Sequence, residues 1–155
     1  MRPSGTITAW WRGFVEEEVA PRLFGFQAAG AAPLVEGHPI AKPETIASAI
    51  RIGNPARWEE AMEAMTASRG MIRAVTDDEI LDAWRLLAGR EGVFCEPASA
   101  ASVAGLLRYG ADGAGRIVCV LTGHGLKDPQ TALDHAGAVV PSEPRLDADE
   151  RAVLG

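Results

Sequence analysis

The sequence is short of cysteine, of lysine and of positive charge, and each shortage excludes something. Its 155 residues hold two cysteines, Cys95 and Cys119, each isolated in an apolar run, Val93-Phe94-Cys95 and Val118-Cys119-Val120. That placement predicts buried thiols in a reducing cytoplasm rather than a disulfide. With 15 Lys+Arg against 21 Asp+Glu the net charge is −6, and no basic cluster exists to release counterions from a nucleic acid. No stretch approaches the roughly 20 consecutive apolar residues of a membrane span. Arg12 and Glu16 to Glu18 interrupt any signal-peptide core near the start. The expectation is a cytoplasmic chain with neither membrane nor nucleic-acid partner. His38, His124 and His135 lack ligand-like spacing to one another or to either cysteine, which argues against a metal site. No Gly-x-Ser-x-Gly elbow supports a Ser/His/Asp triad.

What is present suits one folded domain. The apolar share of 47% against 23% charged excludes long disorder, and the length is enough to bury a core. Seventeen glycines and ten prolines imply many tight turns. Short apolar runs alternate with amphipathic stretches, which favours a layered α/β fold.

Several elements carry local signals. Ile7 to Val19 reads as a helix after a polar turn, Ser4-Gly5-Thr6, and Leu23 to Phe26 as a strand. A helix from Pro55 to Arg69 is expected, with Asn54 as cap, Gly70 as stop, and Trp58, Ala61, Met62 and Met65 on one face. Met71 to Val75 reads as a strand. Thr76-Asp77-Asp78-Glu79 is a capping box opening a helix with Ile80, Leu81, Trp84 and Leu87 inside. Val93 to Cys95 reads as a short strand, and Ala98 to Arg108 as a helix of small residues made for close packing. Arg116 to Leu121 is the clearest buried strand, ended by Gly123-His124-Gly125. Val139-Val140 is a last strand candidate, and Asp147 a cap for a closing helix to Leu154.

Two places could carry chemistry. Free N–H groups at a helix start, with the hydroxyls of Ser4 and Thr6 around Gly5, suit a phosphate, although Ser and Thr are also ordinary caps. The loop from Thr122 to Pro129 follows the best strand, where ligands sit in open α/β sheets. A dinucleotide turn there would need a small residue at Asp128 and an immediate helix, which Pro129 delays. Trp10-Trp11 reads as helix packing and Glu16 to Glu18 as a solvated face. Glu96, between an apolar run and the small-residue helix, could line a site or cap the helix dipole; both readings stay open.

Taken in order, four segments resemble threonine synthase, a fold-type II enzyme family that uses pyridoxal 5′-phosphate. They are Phe26-Gln27-Ala28-Ala29-Gly30-Ala31-Ala32-Pro33-Leu34, then Glu44-Thr45-Ile46-Ala47-Ser48-Ala49-Ile50-Arg51-Ile52-Gly53-Asn54-Pro55, then Val93-Phe94-Cys95-Glu96-Pro97-Ala98-Ser99-Ala100-Ala101, and last Val120-Leu121-Thr122-Gly123-His124-Gly125-Leu126-Lys127-Asp128-Pro129. The likeness runs from about Thr6 to Leu133 and covers the C-terminal half of the family's length.

The resemblance implies a three-layer α/β sandwich, a mostly parallel sheet with helices on both faces, forming part of the large domain of such enzymes. Residues 1–155 would be the C-terminal portion of that tryptophan synthase β-like domain, and 134–155 a tail with a short closing helix. In the family a Gly-Asn-Ala-Gly-Asn loop before Ile-Thr-Ala wraps the cofactor phosphate; here Ile7-Thr8-Ala9 follows Arg2-Pro3-Ser4-Gly5-Thr6. Gly5 keeps its place, Ser4 and Thr6 offer hydroxyls, and Pro3 removes a donor. Thr122 corresponds to the residue hydrogen-bonded to the pyridine nitrogen, and Ala49 and Ile50 lie near the backbone over the ring.

The implied reaction is that of a carbon–oxygen lyase, turning O-phospho-L-homoserine and water into L-threonine and phosphate. The family's Schiff-base lysine lies in the other half. Lys42 precedes Pro43 in a turn and Lys127 belongs to a segment the family carries besides its catalytic lysine, so no catalytic residue and no covalent cofactor are expected in this chain. Pairing with a missing N-terminal half, or a homodimer, follows. Two alternatives stand beside this: a non-catalytic module that binds cofactor or phosphate or pairs with a partner, and another fold-type II enzyme such as threonine dehydratase.

Overall fold

A computed structural model describes residues 3–111, 113 and 115–135, with the backbone alone for Pro3 and Ser4. Helix α1 (Pro3–Glu16) leads into strand β1 (Phe24–Ala28), short helix α2 (Pro33–Glu36) and helix α3 (Trp58–Ala67). Strand β2 (Met71–Val75), helices α4 (Asp77–Glu91) and α5 (Pro97–Tyr109), and short helix α6 (Pro129–His135) follow.

The two strands run parallel, with Phe24 opposite Met71 and Ala28 opposite Val75. Parallel neighbours need a long crossover, and here the crossover carries α2 and α3. Helices cover both faces. A Cβ at Gly105 of α5 would fall 2.3 Å from the Phe26 ring, whereas one at the adjacent Gly25 would fall 3.0 Å from Ile7 of α1. Successive strand residues point to opposite faces, so α5 lies on one side of β1 and α1 on the other. The core joins Ala28 and Val75 of the strands to Ile80, Leu81, Trp84 and Leu87 of α4 and Ala100, Ala101 and Ala104 of α5. The α/β class, parallel pairing and helices on two faces are those the sequence implies.

The strongest local signals are met. Thr76 and Glu79 form the reciprocal capping box and β2 spans Met71–Val75, while α5 starts on Pro97, one residue before the expected Ala98. Other expectations are corrected. Ser4-Gly5-Thr6 is no turn before a helix but the first turn of α1, because Pro3, with φ preset and no donor to lose, opens the helix there. α3 begins at Trp58 rather than Pro55; Pro55 is buried in the loop instead. Met62, expected inward on α3, is 39% exposed, and Ala61, Ala64 and Met65 form the buried face.

The expected strand from Arg116 to Leu121 does not form: the run has no regular secondary structure and pairs with no strand among the described residues. It is not buried either. Cys119 and Leu121 are half-buried while Val118 is 78% exposed. Apolar content alone does not make a buried strand here: the sheltered residues are Cys119 and Leu121, the latter packed against the core. Val93 to Cys95 likewise contributes one antiparallel bridge, Cys95 to His124, not a strand. The expected strand at Val139-Val140, the closing helix to Leu154 and all but the start of the 134–155 tail lie outside the described residues.

Candidate functional site

The four segments that carry the resemblance are far apart in sequence and adjacent in space. The first meets the second where Glu44 N–H donates to the Gly30 carbonyl at 3.0 Å. A Cβ at Gly30 would collide with the Glu44 carbonyl oxygen, so only glycine permits this approach. The second is fixed again at the start of α4. The Asp77 carboxylate accepts from Ile46 N–H at 3.0 Å and from the buried Thr45 hydroxyl, which itself accepts from Ala47 N–H at 3.1 Å. These bonds hold the loop that leads into the 3₁₀ turn Ser48–Ile50.

That turn reaches the fourth segment, since the Ser48 hydroxyl donates to Asp128 at 3.4 Å. On its other side Ile50 lines a small apolar cavity together with Ile7, Gly25, Gln27, Leu34 and Ile72. Ile7 is the residue directly after Ser4-Gly5-Thr6. The Gln27 side chain closes one wall by accepting from Leu34 N–H at 2.9 Å.

The third and fourth segments are bonded most densely. Glu96 N–H donates to the Gly123 carbonyl at 2.9 Å, and Gly125 N–H to the Phe94 carbonyl at 3.0 Å. Gly123 N–H donates to the buried Ser99 hydroxyl at 2.9 Å. The His124 imidazole packs edge-on to Phe94 at 5.6 Å and accepts from Leu126 N–H through Nδ1. Lys127 lies 3.3 Å from the carboxylate of Glu96. Thr122 emerges from this frame exposed. Glu96 occupies the cap position of α5, yet its side chain makes no capping bond. A hydrogen-bonded cap is therefore absent, while the carboxylate's place at the start of α5 remains one that suits the helix dipole.

Burial raises both thiols, with the Glu96 charge adding to the effect at Cys95 and the Ser102 hydrogen bond opposing it at Cys119. Both are free cysteines, and thiols raised in this way are poor nucleophiles at neutral pH. No group of His, Cys, Asp and Glu that could hold a metal occurs among the described residues. None of the described helices is long and apolar enough to cross a membrane.

The residues fit a phosphorylated pyridine cofactor. Thr122 offers a neutral, exposed hydroxyl on a fixed backbone, the kind of partner an unprotonated ring nitrogen takes. Residues 4–6 form the first turn of a 14-residue helix, where backbone N–H groups have no intrahelical partner, and a Cβ at Gly5 would meet nothing within 4 Å. Ser4 and Thr6 thus share one turn with Gly5. Among the described side chains, Ile7 beside that turn shares a cavity with Ile50, and Ser48 at the start of the same 3₁₀ turn bonds Asp128 in the segment that begins at Val120. The Glu96–Lys127 pair and the Asp77 anchor were not found by sequence reasoning. Asp77 was read only as part of a capping box, and nothing local marks Lys127 as a partner for a residue 31 positions away.

The family model "Pyridoxal-phosphate dependent enzyme" matches residues 3–123. The chain is 55% identical over 142 residues to a threonine synthase of a Synechocystis species, covering 86% of this chain and 37% of that protein. It is 53% identical over 148 residues to a threonine synthase of Mycobacterium tuberculosis, covering 89% and 41% respectively. It therefore spans about two fifths of the length of these curated relatives. Among solved structures, threonine synthase from Escherichia coli superposes with a TM-score of 0.60 at 20% identity, over 88% of this chain and 33% of that one. A mutant of O-ureido-L-serine synthase with O-ureido-L-serine bound gives 0.68 at 21%, over 99% and 44%. These two show the fold.

Proposed function

Because the chain belongs to the pyridoxal-phosphate dependent enzyme family, we propose that it forms the ring-binding part of a threonine synthase. In this reading the whole enzyme converts O-phospho-L-homoserine and water to L-threonine and phosphate. The observation that carries the reading is the convergence of the four matching segments through Gly30–Glu44, Ser48–Asp128 and Glu96–Gly123.

Each residue then has one task. The Thr122 hydroxyl would hold the ring nitrogen and, being neutral, would leave it unprotonated. The free N–H groups at Ser4, Gly5 and Thr6 bind the cofactor phosphate. Ala49 and Ile50, in the turn that follows the loop held by Asp77, would lie along the ring and exclude water from it. Bound pyridoxal phosphate supplies the electron sink for bond-making next to the substrate's amino carbon. No residue of this chain takes the covalent lysine's part. Lys127 is paired with Glu96, and Lys42 is exposed in a bend outside these contacts. The lysine and the substrate grip belong, in this reading, to a complementary N-terminal portion, and the assembly works in the cytoplasm as a dimer or paired chains.

A second reading is a non-catalytic cofactor- or phosphate-binding module. The two separate in one experiment. The chain is joined to the portion of the Synechocystis threonine synthase that it does not match, and phosphate release from O-phospho-L-homoserine is measured with pyridoxal phosphate present. Equal yields of threonine and phosphate support the proposal. A folded hybrid that is inert, or that instead makes a 2-oxo acid from threonine, contradicts it.

A further inference from the structure

Glu96 is 5% exposed, and among the described residues its carboxylate has one ionic partner, Lys127, whose own side chain is 62% exposed. Taking a carboxylate out of water for so weakly desolvated a partner gains little stability; such pairs break even at best. Packing alone would be served by an apolar side chain of the same size. What the carboxylate does achieve is spatial. A Cβ at Gly123 would fall 2.0 Å from Glu96 Oε1, so the carboxylate fills the place of a side chain there and lies against the backbone. Glu96 N–H holds the Gly123 carbonyl from the same residue, and Ser99, three positions on, holds the Gly123 N–H. Lys127 ties the far end of the turn to the same carboxylate at 3.3 Å. Both ends of the 123–127 turn are thus fastened to the opening of α5, and Thr122 is the next residue out.

We propose that Glu96, secured by Lys127, is a positioning residue for Thr122, fixing where its hydroxyl meets the nitrogen of a bound pyridine ring. The inference rests on the proposed cofactor cleft but concerns residues to which the sequence assigned no such task. Glu96 acts through Gly123 and does not itself touch the cofactor.

The test uses the whole chain and pyridoxamine 5′-phosphate, which needs no lysine to bind. Glu96→Gln and Lys127→Met are compared with Lys127→Arg, each with and without Thr122→Val. Amide exchange across residues 122–126 is expected to quicken about tenfold in Glu96→Gln and Lys127→Met, with α4 and β2 unchanged, and to return to the parent rate in Lys127→Arg. Affinity for pyridoxamine 5′-phosphate is expected to fall about tenfold in the same two variants, and not to fall further when Thr122 is already valine. Unchanged exchange in the turn, exchange raised equally in α4 and β2, or an equal loss of affinity with and without the Thr122 hydroxyl each overturns the proposal. Should the parent chain bind no pyridoxamine 5′-phosphate while the turn loosens as expected, the cofactor reading falls and the clamp stands. Binding with an unaltered turn sinks the clamp and leaves the cofactor reading.

Discussion

The indole N–H of Trp84 donates to the Cys95 carbonyl at 2.7 Å, and both residues are buried. This bond fastens the inner face of α4 to the residue just before Glu96, so the frame of the candidate site is continuous with the core. Trp84→Phe keeps an aromatic ring near Phe94 but strands the carbonyl, and is expected to cost about 1–3 kcal/mol in denaturant unfolding. Trp84→Ala adds a cavity and is expected to cost about 3–5 kcal/mol.

Two glycines in helices should respond in opposite directions to the same change. Gly105 has no room for a methyl group, with Phe26 at 2.3 Å, whereas Gly89 in α4 has nothing within 4 Å. Gly105→Ala forces the Phe26 ring or α5 to shift and should destabilise by about 1–3 kcal/mol. Gly89→Ala restricts the unfolded chain without a clash and should stabilise by about 0.4–1 kcal/mol. Thermal unfolding of the pair checks both signs at once.

The capping box sets a pH dependence. Burial works to raise the Glu79 carboxyl, but the Thr76 backbone N–H and the Arg108 guanidinium, 2.8 Å away, outweigh it, and the group titrates below its ordinary value. A depressed folded value means the contribution is complete above the unfolded value, about 4.3, and is lost as pH falls through the folded one. Unfolding curves for the parent chain and Glu79→Gln should therefore lie a constant distance apart above about pH 5 and converge in acid. Convergence on the alkaline side would contradict the assignment.

What could be read from the sequence is what local chemistry specifies. The capping box and the apolar stripe of α4 act within one or two turns, and that helix formed as expected; α5 starts on Pro97, one residue ahead of the helix its small residues indicate. β2 also formed as expected, and its Cα partners are all in β1. The start of α1 was legible in Pro3, which marks a first helical position; Ser4 and Gly5 drew attention to a turn instead. The run at 116–121 was not legible, because a strand is defined by its neighbour and the run itself does not say whether one is present. Glu96–Lys127, Thr45–Asp77 and Ser48–Asp128 join residues 31, 32 and 80 positions apart. No periodicity carries that information, although the four family-like segments indicated which stretches should meet.

The central claim is that Thr122 and the first turn of α1 face one cleft sized for a phosphorylated pyridine. The most direct measurement is amide chemical-shift mapping of the ¹⁵N-labelled chain during titration with pyridoxamine 5′-phosphate, against inorganic phosphate alone. Gly5 and Thr6 are expected to move with both ligands, while Thr122 and Gly123 move only with the ring-bearing one and along the same saturation curve. Movement of the two places with different affinities, or of one without the other, contradicts a single shared site.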